Sequence, residues 1–359
     1  MNQVAVPKIS YKKFTNSIET GLANGRLPLL VEFDITYRCN LKCVHCYIGR
    51  SNSRKEMNTE GIINVIDKIA DAGCLWMLLT GGEPLIREDF EEIYVYMKKK
   101  GFIITLFTNA ALITEEIVRL LDRWRPFVVE ATIYGMTPAT YEIVTGVKGS
   151  LEKCIGGIKL LAENKIPLKL KTVALTVNKE EIPAMKKFAR GFGLELRVDP
   201  FINPRIDGSL EPCKYRLSPE ESVEIFSSNK KDVKELKRLC RKNENFKPEY
   251  IYTCSAGRES FHLNPYGEMS LCLMSPYPCV NLLNGGTFED GWKLLPEIYM
   301  QKHKKEIKCR ECDISFLCGV CPGWSKIEAG DEELPVEYLC KVAHLKAEKL
   351  GIDSVIQKK

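Results

Sequence analysis

The segment Arg38-Cys39-Asn40-Leu41-Lys42-Cys43-Val44-His45-Cys46-Tyr47 carries three cysteines spaced C-x3-C-x2-C. Cysteine thiolate is the usual ligand of iron–sulfur clusters, and one tight loop with three of them can hold three irons of a [4Fe–4S] cube. The fourth iron then keeps an open position, where a small molecule can bind and be activated. A zinc loop is the competing reading. Zinc takes four ligands, commonly as two separated pairs, and His45 is the nearest candidate for the fourth. The number and softness of the ligands favour iron–sulfur.

The flanking sequence places this loop in a fold. Leu29 to Ile35 is rich in strand formers and runs straight into it. Thr59 to Ala72 then shows helical spacing of Ile62, Ile63, Ile66 and Ile69, with Asn58 or Thr59 as cap. The alternation continues. Strands are predicted at Leu75–Leu79, Ile103–Phe107, Val128–Ile133, Leu168–Leu175 and Leu194–Val198. Helices are predicted at Asp89–Lys100, Thr114–Trp124, Leu151–Asn164 and Glu180–Arg190. Six such β/α units imply an α/β fold, with a parallel sheet covered by helices. Functional groups then belong at the C-terminal strand ends. The cysteine loop follows the first strand, Gly81-Gly82-Glu83-Pro84 the second, and Thr108-Asn109 the third. The two glycines permit a sharp turn and close approach to a ligand, and Glu83 adds a carboxylate that can accept hydrogen bonds from an amino group.

Composition narrows the class. Of 359 residues, 45% are apolar and 28% charged, as in ordinary globular proteins, and the net charge is only +5. The basic runs Lys98-Lys99-Lys100 and Lys302-His303-Lys304-Lys305 are short and scattered, which reads as solvated helix faces and excludes a nucleic-acid stripe. Met1 to Phe14 has no apolar core and is not a signal peptide. The apolar run Cys74 to Leu79 is too short to span a bilayer. A cytoplasmic protein without a membrane segment is expected. Fifteen cysteines in that setting argue for metal rather than disulfides.

The C-x3-C-x2-C loop followed by the aromatic Tyr47 resembles the signature of the radical S-adenosylmethionine (radical SAM) enzymes. The resemblance implies a partial (β/α)6 barrel. It also implies that the open iron chelates the amino and carboxylate groups of S-adenosylmethionine, whose reductive cleavage gives a 5′-deoxyadenosyl radical. It assigns cofactor contacts to Tyr47, Gly81, Gly82, Glu83, Pro84, Thr108 and Asn109, and to Thr132 and Thr176 after the fourth and fifth strands. The stretch from Tyr134-Gly135-Met136-Thr137 to Thr145-Gly146-Val147-Lys148-Gly149-Ser150 resembles the loop and helix after the fourth strand in peptide-modifying members.

After the barrel, Pro200, Pro204, Pro212, Pro219 and Gly208 mark an irregular bridge. It is either a linker or a substrate contact through Arg197, Asp199 or Arg205. A helix is expected over Glu220–Arg241. Seven cysteines follow as C-x12-G-x4-C with Gly267, then C-x2-C-x5-C-x2-C, then Cys340. Paired zinc ribbons would suit part of this spacing. Beside the first triad, the set resembles the SPASM domain, which binds two auxiliary [4Fe–4S] clusters and makes three in all. By position, Cys309, Cys312, Cys318 and Cys340 would ligate one cluster; Cys254, Cys272 and Cys321 would hold three irons of the other. The quartet ends in C-x2-C where the family has C-x3-C. A fourth ligand for the nearer cluster is absent from Lys247–Thr253, which leaves Cys240, Cys213, Cys279 or an open iron. Cys74 and Cys154 fall inside a strand and a helix and read as packed thiols.

The domain plan is a lead-in at 1–28, with one helix turn at Ser17–Gly21, a barrel at 29–200, a bridge at 201–245, the SPASM region at 246–345 and a tail at 346–359. Members with this extension mostly modify peptides. Expected is an oxidoreductase that crosslinks a ribosomally made precursor peptide (RiPP maturation). Leu273 follows Cys272 where sulfatase maturases have an aspartate, which counts against that activity. The short lead-in has no room for a leader-binding domain, so a separate leader-binding (PqqD-like) protein is an expected partner, with flavodoxin or ferredoxin as electron donor. The alternatives are modification of haem or another cofactor precursor, anaerobic sulfatase-type protein maturation, and a non-enzymatic iron–sulfur or zinc binding module.

Overall fold

The computed structural model describes residues 25–49, 54–242, 249–305, 307–312, 314–319 and 321–351. The expected helix turn at Ser17–Gly21 lies outside them. The strands are β1 (Leu30–Asp34), β2 (Trp76–Thr80), β3 (Ile103–Thr108), β4 (Val128–Thr132), β5 (Leu168–Val173), β6 (Leu196–Asp199), β7 (Ser260–Leu263), β8 (Glu268–Ser270) and β9 (Val280–Asn281). The helices are α1 (Thr59–Asp71), α2 (Phe90–Lys99), α3 (Glu115–Arg123), α4 (Pro138–Thr145), α5 (Ser150–Glu163), α6 (Ile182–Gly191), α7 (Pro219–Ser228), α8 (Lys230–Lys242), α9 (Phe288–Tyr299), α10 (Ser315–Cys318), α11 (Pro322–Ala329) and α12 (Glu337–Leu350).

Strands β1 to β6 pair in parallel, each beside its predecessor, and form the partial (β/α)6 barrel. Strand alternation sets its two faces. Val31, Phe33, Met77, Leu79, Ile104, Leu106, Val129, Ala131, Leu168 and Leu170 join the buried layer under the helices. The helices answer with matching stripes: α1 buries Ile62, Val65, Ile66 and Ile69. Asn58 caps it, accepting from Gly61 N at 3.0 Å. The opposite strand residues face the lumen.

Packing is close where α5 crosses the β3 exit. A Cβ on Gly157 would fall inside the Ala110 carbonyl and 3.0 Å from Ile113 Cβ. Ala110 itself stands at φ 61 and has little freedom to yield. Gly157→Ala is therefore expected to cost roughly 1–3 kcal/mol. That would lower the apparent thermal midpoint of the reconstituted protein by about 5 °C. An unchanged melting curve would show that the helix shifts freely.

Beyond the barrel, the expected helix over Glu220–Arg241 is two helices. Asn229 at φ −95, ψ 100 breaks it, and its Oδ1 accepts from Lys231 N at 3.1 Å to start α8. The sheet does not end at the barrel. β7, from the cysteine-rich region, pairs in parallel with β1, and β8 and β9 add an antiparallel edge. A buried pair fastens this junction: His262 Nε2 lies 3.0 Å from Asp34 Oδ2, with 2% and 0% exposure. Helix α12 continues to Leu350 and lies back on the bridge, with Lys346 Nζ 4.8 Å from the centres of Phe201 and Phe226. Among the described residues no helix is long and apolar enough to cross a membrane.

Candidate active site

The loop after β1 is held from three sides. At its root, Glu56 accepts from Thr36 Oγ1 and Tyr37 N, both at 2.7 Å. Along its length, Lys42 N donates to Thr145 O at 2.8 Å and Val44 N to Val144 O at 2.9 Å, so the end of α4 serves as a backbone splint. Gly146, at φ 67, stands against Lys42. From above, the bridge closes on it: Arg205 Nε donates to Cys46 O at 3.3 Å and Ile206 N to Tyr47 O at 2.9 Å. The proline-rich segment is thus a clamp on the cysteine loop. Its Asp199 and Arg197 come from β6 and face the lumen side of that strand.

Cys39, Cys43 and Cys46 sit close enough to act on one another electrostatically. Burial pushes all three thiols up, Cys39 to about 11; Glu83 and Cys46 add to this at Cys39, and Cys46 and Cys39 at Cys43. Among the described residues no three metal-binding side chains form a ready-made cage. The donor set nevertheless suits soft metal. Three grouped thiols are poorly ionised alone, and iron stabilises the thiolate form. Leu41 N, 3.4 Å from Cys39 Sγ, is a ready donor to such a thiolate.

Beside the loop lies the turn after β2. Gly81 stands at φ +129, and Cβ atoms on Gly81 and Gly82 would overlap the carbonyls of Thr36 and Arg38. Those carbonyls accept from Gly82 N and Glu83 N at 2.8 and 2.9 Å. The glycines therefore let the two strand-end loops share a hydrogen-bonded seam. Glu83 is fully buried. Its carboxylate accepts from Thr108 Oγ1 at 2.9 Å, Asn109 N at 2.7 Å and Leu85 N at 3.2 Å. Burial still wins over these donors and lifts the carboxyl to about 7. Pro84 is buried and opens the next turn. Asn109 Nδ2 reaches Asn40 Oδ1 at 2.8 Å, tying the third strand end to the cysteine loop.

Tyr47 is packed beside Asp34, Glu32, Cys46 and Tyr37. Thr132 ends β4 and is half-buried. Thr176 lies three residues past β5, exposed, with its N–H on Tyr215 O of the bridge at 3.0 Å. His45 packs edge-on against Tyr134, with centroids 4.8 Å apart. Burial lowers its imidazole to about 4, so the ring is neutral. Sequence reasoning passed over Glu56, and it named the Tyr134–Ser150 segment without the backbone splint that its helix α4 provides. Backbone hydrogen bonds leave no side-chain signal, but a carboxylate between the loop and the first helix was a readable one.

The second set of thiols falls into two groups. Cys254, Cys272 and Cys321 interact with one another, and burial first, then Cys321, pushes Cys272 to about 12. Cys309 interacts with Cys340 and Cys312. Cys312 and Cys318 pack on Ile314, Leu317, Ala343 and Ala347. Cys213 accepts from Arg216 Nη2 at 3.0 Å, and Cys279 feels the charges of Glu268 and Arg54. The side chain of Cys240 lies outside the described residues. Cys74 and Cys154 are buried in the barrel core.

The sequence profile of the radical SAM superfamily matches residues 33–189, the barrel just described. The chain carries a radical SAM domain. A [4Fe–4S] cluster and S-adenosylmethionine are accordingly its cofactors. This radical SAM chain is 27% identical over 343 residues to an AdoMet-dependent heme synthase of Methanosarcina barkeri, covering 88% of this chain and 97% of the relative. It is also 27% identical over 310 residues to the antilisterial bacteriocin subtilosin biosynthesis protein AlbA of Bacillus subtilis, covering 82% and 67%. In fold it resembles anSMEcpe with bound AdoMet and the Kp18Cys peptide (TM-score 0.66, 17% identity, 89% of this chain and 96% of that one). Streptococcus suis SuiB bound to its precursor peptide SuiA is similar in fold too, with a TM-score of 0.63 at 15% identity over 82% and 72% of the chains.

Proposed function

We propose that this chain is a SPASM-type radical SAM enzyme that oxidatively crosslinks a ribosomally made peptide. The observation that carries the reading is the grouping of thiols. One triad is clamped at the barrel mouth beside Glu83, and two further groups are carried on elements fused to the same sheet. Cys39, Cys43 and Cys46 would hold the cluster that binds S-adenosylmethionine. Cys254, Cys272 and Cys321 would hold one auxiliary cluster, and Cys309, Cys312, Cys318 and Cys340 the other. When bound, the first cluster supplies the electron that splits the sulfonium into methionine and a 5′-deoxyadenosyl radical. Glu83 receives the amino group of the cofactor, and Tyr47, Gly81, Gly82, Pro84, Thr108, Asn109, Thr132 and Thr176 shape its surroundings.

The relatives support a peptide substrate: a subtilosin biosynthesis protein, a mycofactocin maturase and a PqqA peptide cyclase are among them. A separate leader-binding protein and a small electron-transfer protein would serve it in the cytoplasm. The second reading, oxidation of a haem precursor, is favoured by the heme synthase that the chain matches over 97% of that relative's length.

Mass spectrometry of small peptides encoded beside the gene, co-expressed anaerobically with this chain, tests the choice. A product lighter by two hydrogens is the expected result. Unmodified peptides, with iron coproporphyrin consumed instead, would reverse it.

A further inference from the structure

The lumen just below the strand ends carries charge where a barrel interior is normally aliphatic. Leu168 and Leu170 of β5 pack toward the helices, so Lys171 faces inward; by the same alternation Glu130 of β4 does too. Lys171 Nζ stands 2.7 Å from the centre of the Phe107 ring on β3. It is 3.5 Å from Glu130 Oε2, too long for a strong hydrogen bond. Arg197 of β6, the register partner of Lys171, reaches the same oxygen at 3.3 Å. That oxygen is buried with no hydrogen-bond partner. Glu32 of β1 and Asp199 of β6 complete the charged groups around the amine. The amine has a way out: the Lys171 side chain is 15% exposed. Phe107 precedes Thr108, and Thr132 is the register neighbour of Lys171, so the amine lies under the residues assigned to the cofactor.

We propose that Lys171 is the proton acceptor of the oxidative step, a role that rests on the peptide reading above. The 5′-deoxyadenosyl radical takes a hydrogen atom from a substrate carbon. The substrate's attacking X–H group, a thiol, hydroxyl or amide, forms the C–X bond. Its proton passes to the neutral Lys171 amine, and the remaining electron passes to an auxiliary iron–sulfur cluster. Two hydrogens and two electrons leave the substrate, and all are accounted for. Burial, reinforced by Arg197 and opposed by Glu130 and Glu32, lowers the amine to about 7, so a neutral fraction exists at working pH.

The test compares wild type, Lys171→Gln and Lys171→Arg, each reconstituted and judged folded by iron content and thermal midpoint. The substrate is the co-expressed neighbouring peptide, followed by product and 5′-deoxyadenosine. Both variants are expected to lose product at least 30-fold relative to the 5′-deoxyadenosine they release. The wild-type rate should rise with pH through about 7. Arginine keeps the charge and the Glu130 pairing but cannot accept a proton, so rescue by Lys171→Arg would overturn the proposal. So would wild-type product from Lys171→Gln. In parallel, formaldehyde with dimethylamine–borane at pH 7 should methylate Lys171 ahead of exposed lysines, with S-adenosylhomocysteine bound or absent. Slow labelling would overturn the proposal, and complete shielding by that analogue would overturn it and make Lys171 a cofactor contact. Where the wild type modifies no peptide, the peptide reading falls separately and the labelling decides Lys171.

Discussion

A Cys43→Ala protein, reconstituted anaerobically, is expected to carry about eight irons against the roughly twelve that the proposed three clusters give the wild type, and to form no measurable 5′-deoxyadenosine. Cys43 is the middle thiol of the triad and interacts with both others. Without it, two thiols remain, too few to retain a cube with an open corner. The loop should survive the change, because its shape rests elsewhere. Lys42 N and Val44 N, on either side, are held by the carbonyls of Thr145 and Val144, and Glu56 grips the root. The other seven thiols belong to different elements. Iron analysis and electron paramagnetic resonance check the count, and chromatography checks the nucleoside. A variant that still cleaves S-adenosylmethionine, or a wild type that binds zinc at this triad, would remove the basis of the functional reading.

Much of this was legible from spacing. The six strands lie within a few residues of their sequence-derived positions, because continuous apolar runs and amphipathic helices leave little choice of fold. The strand-end placement of Cys39–Cys46, Gly81–Pro84 and Thr108–Asn109 followed from the same alternation. What spacing did not show was the partnership between segments far apart in the chain. His262 reaches Asp34 across 228 positions, and β7 extends the barrel sheet although its four residues carry no strong strand signal. The clamp sets the Arg205 side chain on the Cys46 carbonyl and the Ile206 N–H on the Tyr47 carbonyl, and a carbonyl, which every residue has, marks no partner in the sequence. Asn229 broke a helix that its neighbours' periodicity would have continued, because its side chain offers the backbone a local cap. Lys171 was invisible for a different reason. A lysine in a strand reads as an exposed position, and only closure of the sheet turns it toward Phe107 and Glu130.

Glu83→Gln should leave iron content near the wild-type value yet weaken S-adenosylmethionine binding by roughly 30- to 100-fold, the scale of a lost charge-assisted hydrogen bond. The amide preserves the shape of a side chain that touches Thr108, Asn109 and Leu85, so the seam with the cysteine loop stays in register. What it removes is the negative charge and one of the two oxygens that accept from Thr108, Leu85 and Asn109, while the seam keeps its backbone bonds from Gly82 N and Glu83 N. That charge is costly in the unliganded protein: burial lifts the carboxyl from 4.5 to about 7. The sign follows from proton uptake. The folded protein holds this proton more tightly than the unfolded chain, so the group's contribution to stability falls as pH rises from 4.5 to about 7. Bound S-adenosylmethionine, a cationic sulfonium nucleoside, stabilises the ionised form and offsets that loss. Affinity should therefore rise with pH by up to about tenfold per unit below 7 and level off above it. The glutamine variant has no proton to release and should show no such slope. Equilibrium binding by the reconstituted protein between pH 6 and 8 measures both effects. If Glu83→Gln binds S-adenosylmethionine as tightly as wild type, or keeps the same slope, then Glu83 only braces the turn and the amino group is received elsewhere.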